Sequence, residues 1–443
     1  MKRDLLELLC CPDCKGDLRL NEVTPAAAEV ESGALDCPAC DVSFPIVRGV
    51  PRFVDSDQYA GSFSYEWNRW DTVQLDAVNG SRESEETFAE KTAFQPHELR
   101  GRLMLDVGCG AGRFLDVASR WGARVVGVDL SFAVEAAQRN VGSRPDVSVI
   151  QADVFRLPFR DETFDAIFSI GVLHHSRDTR LAFLQLPRLL KRGGDIAVWL
   201  YYYQDWLYSR ASDFWRAVWR PFPTWVVYAW CWLLVTLFSE RWATDNAPGV
   251  RHGYLRRLLP VSLHADRKWR LLDTFDWYTP RFQDKTCSPA RVLRWCEEGG
   301  IRDVRVLDTL TSVRGTRVMR DGMPLVRWSI PNLRLARVVV FGAGAAGQSA
   351  LHLLRRIAPG CVVAVADNDP AKHGRVFEGL PVVSLDSLPR EDYDVVIIAS
   401  LPGRQAIAAQ LDAKGLIAGV GYLGMDEVVS WRDLIGDEDL LAA

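Results

Sequence analysis

Two groups of residues in this 443-residue chain have the types and spacing to do chemistry. The first lies in LMLDVGCGAGRF (103–114), where Asp106 stands directly ahead of Gly108, Gly110 and Gly112, with Cys109 between the first two glycines. A short apolar run, a glycine turn, a helix and a second apolar run ending in Asp129 and Leu130 make a nucleotide-binding βαβ unit. The glycines lack Cβ, so the backbone can turn sharply and touch a ligand. At the end of the second strand, the Asp129 carboxylate can accept hydrogen bonds from both hydroxyls of a ribose. The second group is Cys11-Pro-Asp-Cys14 and Cys37-Pro-Ala-Cys40. Each knuckle can present two thiolates to one tetrahedral Zn²⁺, and four thiolates close the shell, so the metal reads as structural. A segment this small has little core, and the metal would supply its folding energy. Disulfides or inert thiols are the alternative, disfavoured by ten cysteines scattered through an enzyme-like chain, which point to a reducing compartment. Cys10 is a spare.

The acid-first glycine turn departs from a dinucleotide GxGxxG and resembles the S-adenosylmethionine (SAM) site of class I methyltransferases. QADVFRLPF (151–159) places Asp153 and Val154 where that family meets the adenine, and FDAIFSIGVLHH (164–175), with Ser169, resembles its fourth strand and the loop over the methyl group. The resemblance implies a SAM-binding set of Asp106, Gly108, Cys109, Gly110, Gly112, Asp129, Leu130, Asp153, Val154 and Ser169. The Asp/Asn-Pro-Pro-aromatic motif of methyltransferases that act on adenine or glutamine amino groups is missing here. GVLHH instead resembles small-molecule methyltransferases. If the acceptor needs a base, His175 is the first candidate and His174 the second, because imidazole titrates near neutrality. Lining the pocket is their blander role. Asp276 and Tyr278 are the alternates, from a DxFDWY-P segment that recurs in such enzymes and is expected to face the acceptor.

These groups need a scaffold. Strands are predicted near 103–107, 124–128, 147–151, 164–169 and 194–200, and helices near 112–121, 131–140 and 179–191, with Gly193-Gly194 ending the last helix. A helix near 288–299 and strands near 302–307 and 313–319 complete the pattern. The fold class is α/β: a class I methyltransferase doubly wound sheet with its last strand antiparallel, a small N-terminal zinc ribbon and a second, C-terminal Rossmann-like domain. FPIVRGVPRFV (44–54) completes a resemblance of residues 1–54 to the zinc-ribbon family that accompanies methyltransferases as an activating partner. The methyltransferase domain then occupies 55–318, a linker 319–335, the Rossmann-like domain 336–430 and a tail 431–443.

Residues 201–285 form a cap inserted after the fifth strand. Eight of the sixteen tryptophans fall between Trp199 and Trp242, interleaved with Arg210, Arg216, Arg220 and Arg241. Its densest run, TWVVYAWCWLLVTLF (224–238), would span roughly 22 Å as a helix, short of the ~30 Å hydrocarbon core, so no transmembrane span is expected. A helix packed on the core is one reading. An interfacial cap in peripheral contact with a membrane is the other, since Trp and Arg both suit that surface. Phe63, Tyr65, Trp67 and Trp70, ahead of the core, read as packing anchors rather than as a closure over the cofactor.

Near the C-terminus, LARVVVFGAGAAGQSALHLLRR (335–356) sets Gly342, Gly344 and Gly347 in GxGxxG spacing, and the next strand ends in Asp367. The unit resembles Rossmann domains attached to sugar-modifying and polysaccharide-biosynthesis enzymes. It lacks a Tyr-x-x-x-Lys pair and reads as a binding or docking module for a nucleotide, a nucleotide sugar or no ligand.

With 48% hydrophobic and 25% charged residues the chain is globular, and a net charge of −4 argues against a general nucleic-acid binder. Glu7 interrupts the short apolar N-terminal run, so a cytoplasmic protein is expected, membrane-associated through the cap if at all. The expectation is a SAM-dependent methyltransferase acting on a small metabolite, sugar or lipid-linked glycan precursor. RNA or protein is the alternative acceptor, met through Arg251, Arg256, Arg257, Arg267, Lys268 and Arg270. A non-catalytic SAM- or nucleotide-binding scaffold is the third reading.

Overall fold

Short antiparallel strands bring the cysteine knuckles together. β1 (Arg19–Glu22), β2 (Ser32–Cys37), β3 (Val42–Val47) and β4 (Val50–Pro51) pair in that order into a four-stranded meander, two strands more than a hairpin ribbon needs. The computed structural model describes residues 1–22, 29–57, 59–202, 206–238, 258–262, 264–307, 311–317, 336–389, 392–400, 402–414 and 422–425, with isolated positions 333, 416 and 428. The chain divides into two units, Met1–Thr286 and Cys287–Ala443.

In the first unit the ribbon leads into α1 (Gly61–Arg69), α2 (Asp76–Asn79), α3 (Glu83–Thr92) and α4 (Pro96–Leu99). The predicted alternation then follows: β5 (Leu103–Val107), α5 (Arg113–Arg120), β6 (Arg124–Asp129), α6 (Ala133–Val141), β7 (Val147–Gln151), β8 (Phe164–Ile170), α7 (Thr179–Leu184) and β9 (Leu190–Trp199). The five strands are parallel in the order β9–β8–β5–β6–β7. Their apolar runs are buried on both faces, as a parallel sheet covered by helices requires. Phe88, Phe94, Leu115, Val125 and Phe168 are among the core side chains with no exposed surface.

Two expectations need correction here. The helix predicted over 179–191 stops at Leu184, because Pro187 lacks an N–H and opens a single 3₁₀ turn, Pro187–Leu189. Gly193 and Gly194 therefore do not end a helix. They lie within β9, where the partner register jumps from Phe164–Leu190 to Ala166–Asp195 and Gly193 takes φ +77°.

The ribbon docks against the open edge of this sheet. Phe53 N–H donates to Gln151 O (2.8 Å), Cys10 N–H to Pro158 O (2.9 Å) and Lys15 Nζ to Leu157 O (2.8 Å). Arg52 is buried there, giving one nitrogen to Gln151 Oε1 (2.7 Å) and the other to Glu135 Oε1 (2.8 Å). The unpaired edge of β7 is thus covered rather than left to solvent.

The cap is helical in its described part: α8 (Trp206–Trp219), α9 (Thr224–Leu237) and α10 (Arg267–Tyr278). Val227, Cys231, Leu234 and Val235 of α9 pack with Leu271, Leu272, Phe275 and Tyr278 of α10 and with Trp70, so the run is a packed helix on that face. The other face, Trp225, Trp232, Leu233 and Leu237, is exposed, as are Phe214 and Phe222. No helix among the described residues is long and apolar enough to cross a membrane.

The second unit contains α11 (Pro289–Glu298) and the antiparallel pair β10 (Ile301–Val306) and β11 (Ser312–Arg317), as predicted. It continues with β12 (Val338–Phe341), α12 (Ala345–Ile357), β13 (Val362–Ala366), β14 (Val376–Phe377), β15 (Leu380–Val383), β16 (Val395–Ile398), α13 (Arg404–Ala413) and β17 (Tyr422–Gly424). These strands form one sheet in the order β14–β15–β13–β12–β16–β17, parallel except for β14. Apart from Leu333, the predicted linker from 319 to 335 and the tail from 431 to 443 lie outside the described residues, as do Arg241, Trp242, Arg251, Arg256 and Arg257 of the cap.

Candidate functional site

A cavity of about 460 Å³ opens at the carboxyl ends of β5, β6 and β8 in the first unit, where parallel α/β sheets bind ligands. The glycine turn forms its floor. Gly108 sits at φ +87°, and a Cβ there would overlap Val172. Asp129 pins the turn: Oδ2 accepts from Gly110 N (3.0 Å), and Oδ1 accepts from Ser131 N (2.8 Å) and Oγ (2.6 Å). Trp67 of α1 lies over Gly110, where a Cβ would come 3.3 Å from its ring. Burial raises the Asp129 carboxyl above its ordinary value, opposed by the Ser131 and Gly110 donors. A carboxylate beside a tight turn, with aromatic faces around it, fits the adenosine and the two positive centres of SAM.

Of the residues expected from sequence to hold the cofactor, Gly108, Cys109, Gly110, Asp129, Leu130 and Val154 line this cavity. Four others sit behind its wall. Asp106 is 1% exposed, its Oδ2 has no partner among the described residues, and burial and then Asp129 push its carboxyl well up. Gly112 packs against Ala137 and Val141 of α6. Asp153 caps the short turn after β7 by accepting from Phe155 N (3.0 Å). Ser169 Oγ donates to Val107 O (2.8 Å) and ties β8 to β5. These four build the turn and its supports.

The other half of the cavity is aromatic and acidic. His175 lines it, with Nδ1 3.0 Å from Phe282 O; burial lowers its pKa to about 4, so it is neutral near pH 7. His174 is fully buried outside the lining, stacked on Tyr201 with ring centres 3.8 Å apart and both ring nitrogens unpartnered among the described residues. Asp276 and Trp277 line the cavity, whereas Tyr278 faces the cap core beside Trp215. The lead-in aromatics divide: Phe63 and Trp67 line the cavity, while Tyr65 and Trp70 pack with the cap.

Sequence reasoning missed Glu66, Asp273 and Arg113, all of which line the cavity. The signal for Asp273 was legible, since Asp273 and Asp276 stand three apart on one helix and so share a face. Glu66 in SYEWNRW carried no such signal, because only tertiary packing buries it. Arg113 donates to Ser84 Oγ (2.9 Å), Thr87 Oγ1 (3.2 Å) and Gln74 Oε1 (3.4 Å), all uncharged, and burial lowers it to about 10.

The predicted metal ligands converge. The Sγ atoms of Cys11, Cys14, Cys37 and Cys40 all lie within 4.8 Å of one another. The Cys11–Cys40 separation is 3.8 Å and the Cys14–Cys37 separation 3.5 Å. A tetrahedral ZnS₄ centre with ~2.3 Å bonds has edges of about 3.8 Å, so the four thiols fit Zn²⁺. Gly16 N–H donates to Cys14 Sγ (3.4 Å), stabilising a thiolate there.

In the second unit Gly342, Gly344 and Gly347 join β12 to α12. A Cβ at Gly347 would overlap Gly342 O, so this close approach requires glycine. Asp367 accepts from Ala343 N (2.8 Å) and Lys372 Nζ (2.9 Å), and is occupied with the turn itself.

Three family models match separate segments of the chain. Residues 105–198 match the family model described as "Methyltransferase domain", residues 2–49 "Trm112p-like protein" and residues 334–417 "C2185-like, N-terminal". Probable tRNA methyltransferase 9B of Homo sapiens is 37% identical over 111 residues, covering 24% of this chain and 23% of the relative. Demethylmenaquinone methyltransferase of Thermobifida fusca is 38% identical over 101 residues, covering 22% and 43%. Phosphoethanolamine N-methyltransferase 3 of Arabidopsis thaliana is 29% identical over 187 residues, covering 41% and 34%. The chain thus spans between 23% and 43% of the length of these relatives.

Proposed function

From the premise of a class I SAM-dependent methyltransferase domain carried behind a Trm112-like cysteine ribbon, we propose that this protein methylates a small metabolite, sugar or lipid-linked glycan precursor. The observation that carries the reading is the cavity, in which the Asp129-pinned turn opens directly onto an aromatic acceptor pocket roofed by the cap helix α10. SAM, when bound, supplies an activated methyl group whose sulfonium is already a good leaving group. The residues of this chain then bind, orient and exclude water, and positioning provides much of the rate. Trp67, Trp199, Trp269 and Trp277 give flat apolar walls to such an acceptor.

The exposed apolar stripe of α9, with Arg267 stacked 5.5 Å over Trp232, supports approach to a lipid-linked substrate. Retention of the protein by sedimented anionic vesicles, lost on Trp225→Ala with Trp232→Ala, tests that part. The C-terminal unit serves in this reading as a docking module or as a site for a nucleotide or nucleotide sugar.

RNA or protein is the second reading, favoured by the Trm112p-like ribbon and by the similarity to a probable tRNA methyltransferase. Arg270 does not support it, being 2% exposed with Nε bound to His264 O (2.7 Å). Incubation with methyl-labelled SAM and cell extract, followed by separation into lipid, small-molecule, nucleic-acid and protein fractions, decides between the two. Label in RNA or protein overturns the first, and no label in any fraction favours the non-catalytic scaffold.

A further inference from the structure

The acidic side of the cavity gathers more carboxyl groups than cations. Four carboxylates line the cavity (Glu66, Asp129, Asp273 and Asp276), against two permanent cations, Lys91 and Arg113. Asp129 is satisfied by the glycine turn and Ser131, and Asp273 Oδ2 accepts from Ser262 Oγ (2.9 Å). Glu66 is different. It is 1% exposed, and neither carboxylate oxygen has a hydrogen-bond partner among the described residues. Asp276 Oδ1 is likewise buried and unpartnered. An ionised carboxyl in such a place is costly unless a partner completes it, and a ligand cation can be that partner.

Among the described residues, no cation hydrogen-bonds to Glu66 or to Asp276 Oδ1, although Arg216 lies close enough to oppose the rise of the Asp276 carboxyl. Arg113 spends its donors on Ser84, Gln74 and Thr87. Arg216 of α8 is engaged by Gln283 and Asp213. Lys91 sits over the Trp199 ring at 4.7 Å and pairs with Glu90. Cys231 of α9 is the remaining titratable neighbour that Glu66 influences, and burial keeps it a neutral thiol. The walls beside the carboxylates are Phe63, Trp67, Leu272 and Trp277. Once the carboxyls are ionised, their acceptor-only oxygens, set among aromatic faces, suit a cationic N–H donor on an apolar body.

We propose that Glu66 and Asp276 form the acceptor subsite of the methyltransferase and that the acceptor they take is an aliphatic amine, bound as its ammonium ion. The proposal rests on the methyltransferase reading above and narrows its substrate class to molecules that carry an amino group. In the reaction the ammonium first gives a proton to Asp276 Oδ1. The freed nitrogen lone pair attacks the methyl carbon, an N–C bond forms, and the C–S bond breaks with its electron pair left on sulfur. The products are a methylated ammonium ion, S-adenosylhomocysteine and a protonated Asp276, so charge and protons balance. Burial and then Asp273 raise Asp276 to about 7, which suits it to accept that proton, and burial followed by Asp276 and Asp273 holds Glu66 well above its ordinary value.

The α-ammonium of SAM itself has the same chemistry, and the test separates the two sources. With the full chain saturated by S-adenosylhomocysteine, 2-phenylethylamine and its neutral isostere 2-phenylethanol are titrated by calorimetry at pH 8. The wild type and the E66Q, D276N and E66Q/D276N variants are compared. The amine is expected to bind at least about tenfold tighter than the alcohol, and the double variant to lose that preference. S-adenosylhomocysteine affinity is expected to stay within about threefold across the set. Equal binding of the two probes, no amine binding below about 10 mM, or a preference that survives in the double variant overturns the proposal. A tenfold or greater loss of S-adenosylhomocysteine affinity in E66Q/D276N also overturns it, assigning the carboxylates to the cofactor. Absence of S-adenosylhomocysteine binding to the wild type is a separate result, which refutes the methyltransferase reading itself.

Discussion

Replacing Asp276 by asparagine should stabilise the ligand-free protein relative to the wild type by an amount that grows as pH rises, and the size of the effect follows from its surroundings. Burial and the neighbouring Asp273 raise its carboxyl from an ordinary 3.8 to about 7. Below pH 4 the folded and unfolded chains both carry the proton, and the position costs nothing. Between these values the unfolded chain has lost a proton that the folded chain keeps, so stability falls as pH rises, by about 1.4 kcal/mol per pH unit. Above pH 7 the penalty levels off at roughly 4 kcal/mol. Part of the Asp276 surface opens onto the cavity, so this is a ceiling. Asparagine has no such titration. Its amide is buried equally at every pH, so that cost cancels when the gain at pH 8 is compared with the gain at pH 4.5. Relief of Glu66, whose carboxyl Asp276 helps to hold up, adds to the gain in the same direction. Scanning calorimetry at the two pH values reads the difference, each kcal/mol moving Tm by roughly 2–4 °C in a unit of this size. A D276N gain that is the same at pH 4.5 and pH 8, or a loss at pH 8, refutes the claim that this carboxylate is buried without compensation.

Other predictions test the remaining parts. Asp129→Ala removes the acceptor for Gly110 N and Ser131 and is expected to weaken S-adenosylhomocysteine binding by about 10–100-fold in calorimetry, charge-assisted bonds being worth about 1.5–3 kcal/mol each. Unchanged affinity would remove Asp129 from the cofactor site. Metal analysis should find one zinc per chain, released by a thiol-specific mercurial together with loss of amide protection in β1–β4; a protected, metal-free ribbon contradicts the tetrahedral site. Gly347→Ala forces a methyl onto Gly342 O and should destabilise the second unit by about 2 kcal/mol or more, seen as a lower unfolding midpoint.

Much of the fold was legible because local pattern and tertiary role coincide in a parallel sheet. β5 through β8 appear within a residue or so of their expected limits, since buried apolar runs between amphipathic helices allow few other arrangements. The error around 179–194 came from reading a Gly-Gly pair as a helix stop when Pro187 had already ended the helix and Gly193 belonged to a bulge. The glycine turn, Asp129 and the cysteine knuckles were readable because each carries its chemistry in a short stretch of chain. Glu66 was not, because its isolation depends on α9 and α10, which are far from it in sequence. Asp153 and Ser169 show the converse: motif position brought them near the site, while their hydrogen bonds commit them to its framework.

Arg52 and Gln151, at the seam between ribbon and sheet, join the Trm112p-like segment to the methyltransferase domain within one chain. Two separate proteins would associate by mass action, weakened by dilution and by any competitor for the same surface. A tether of a few residues, between β4 and α1, instead holds the two at an effective concentration on the order of millimolar or above, whatever the abundance of either in the cell. The Gln151 amide also donates to Leu130 O at the rim of the cofactor wall (2.9 Å). The ribbon and the cofactor wall are therefore present in one-to-one proportion wherever the chain is made.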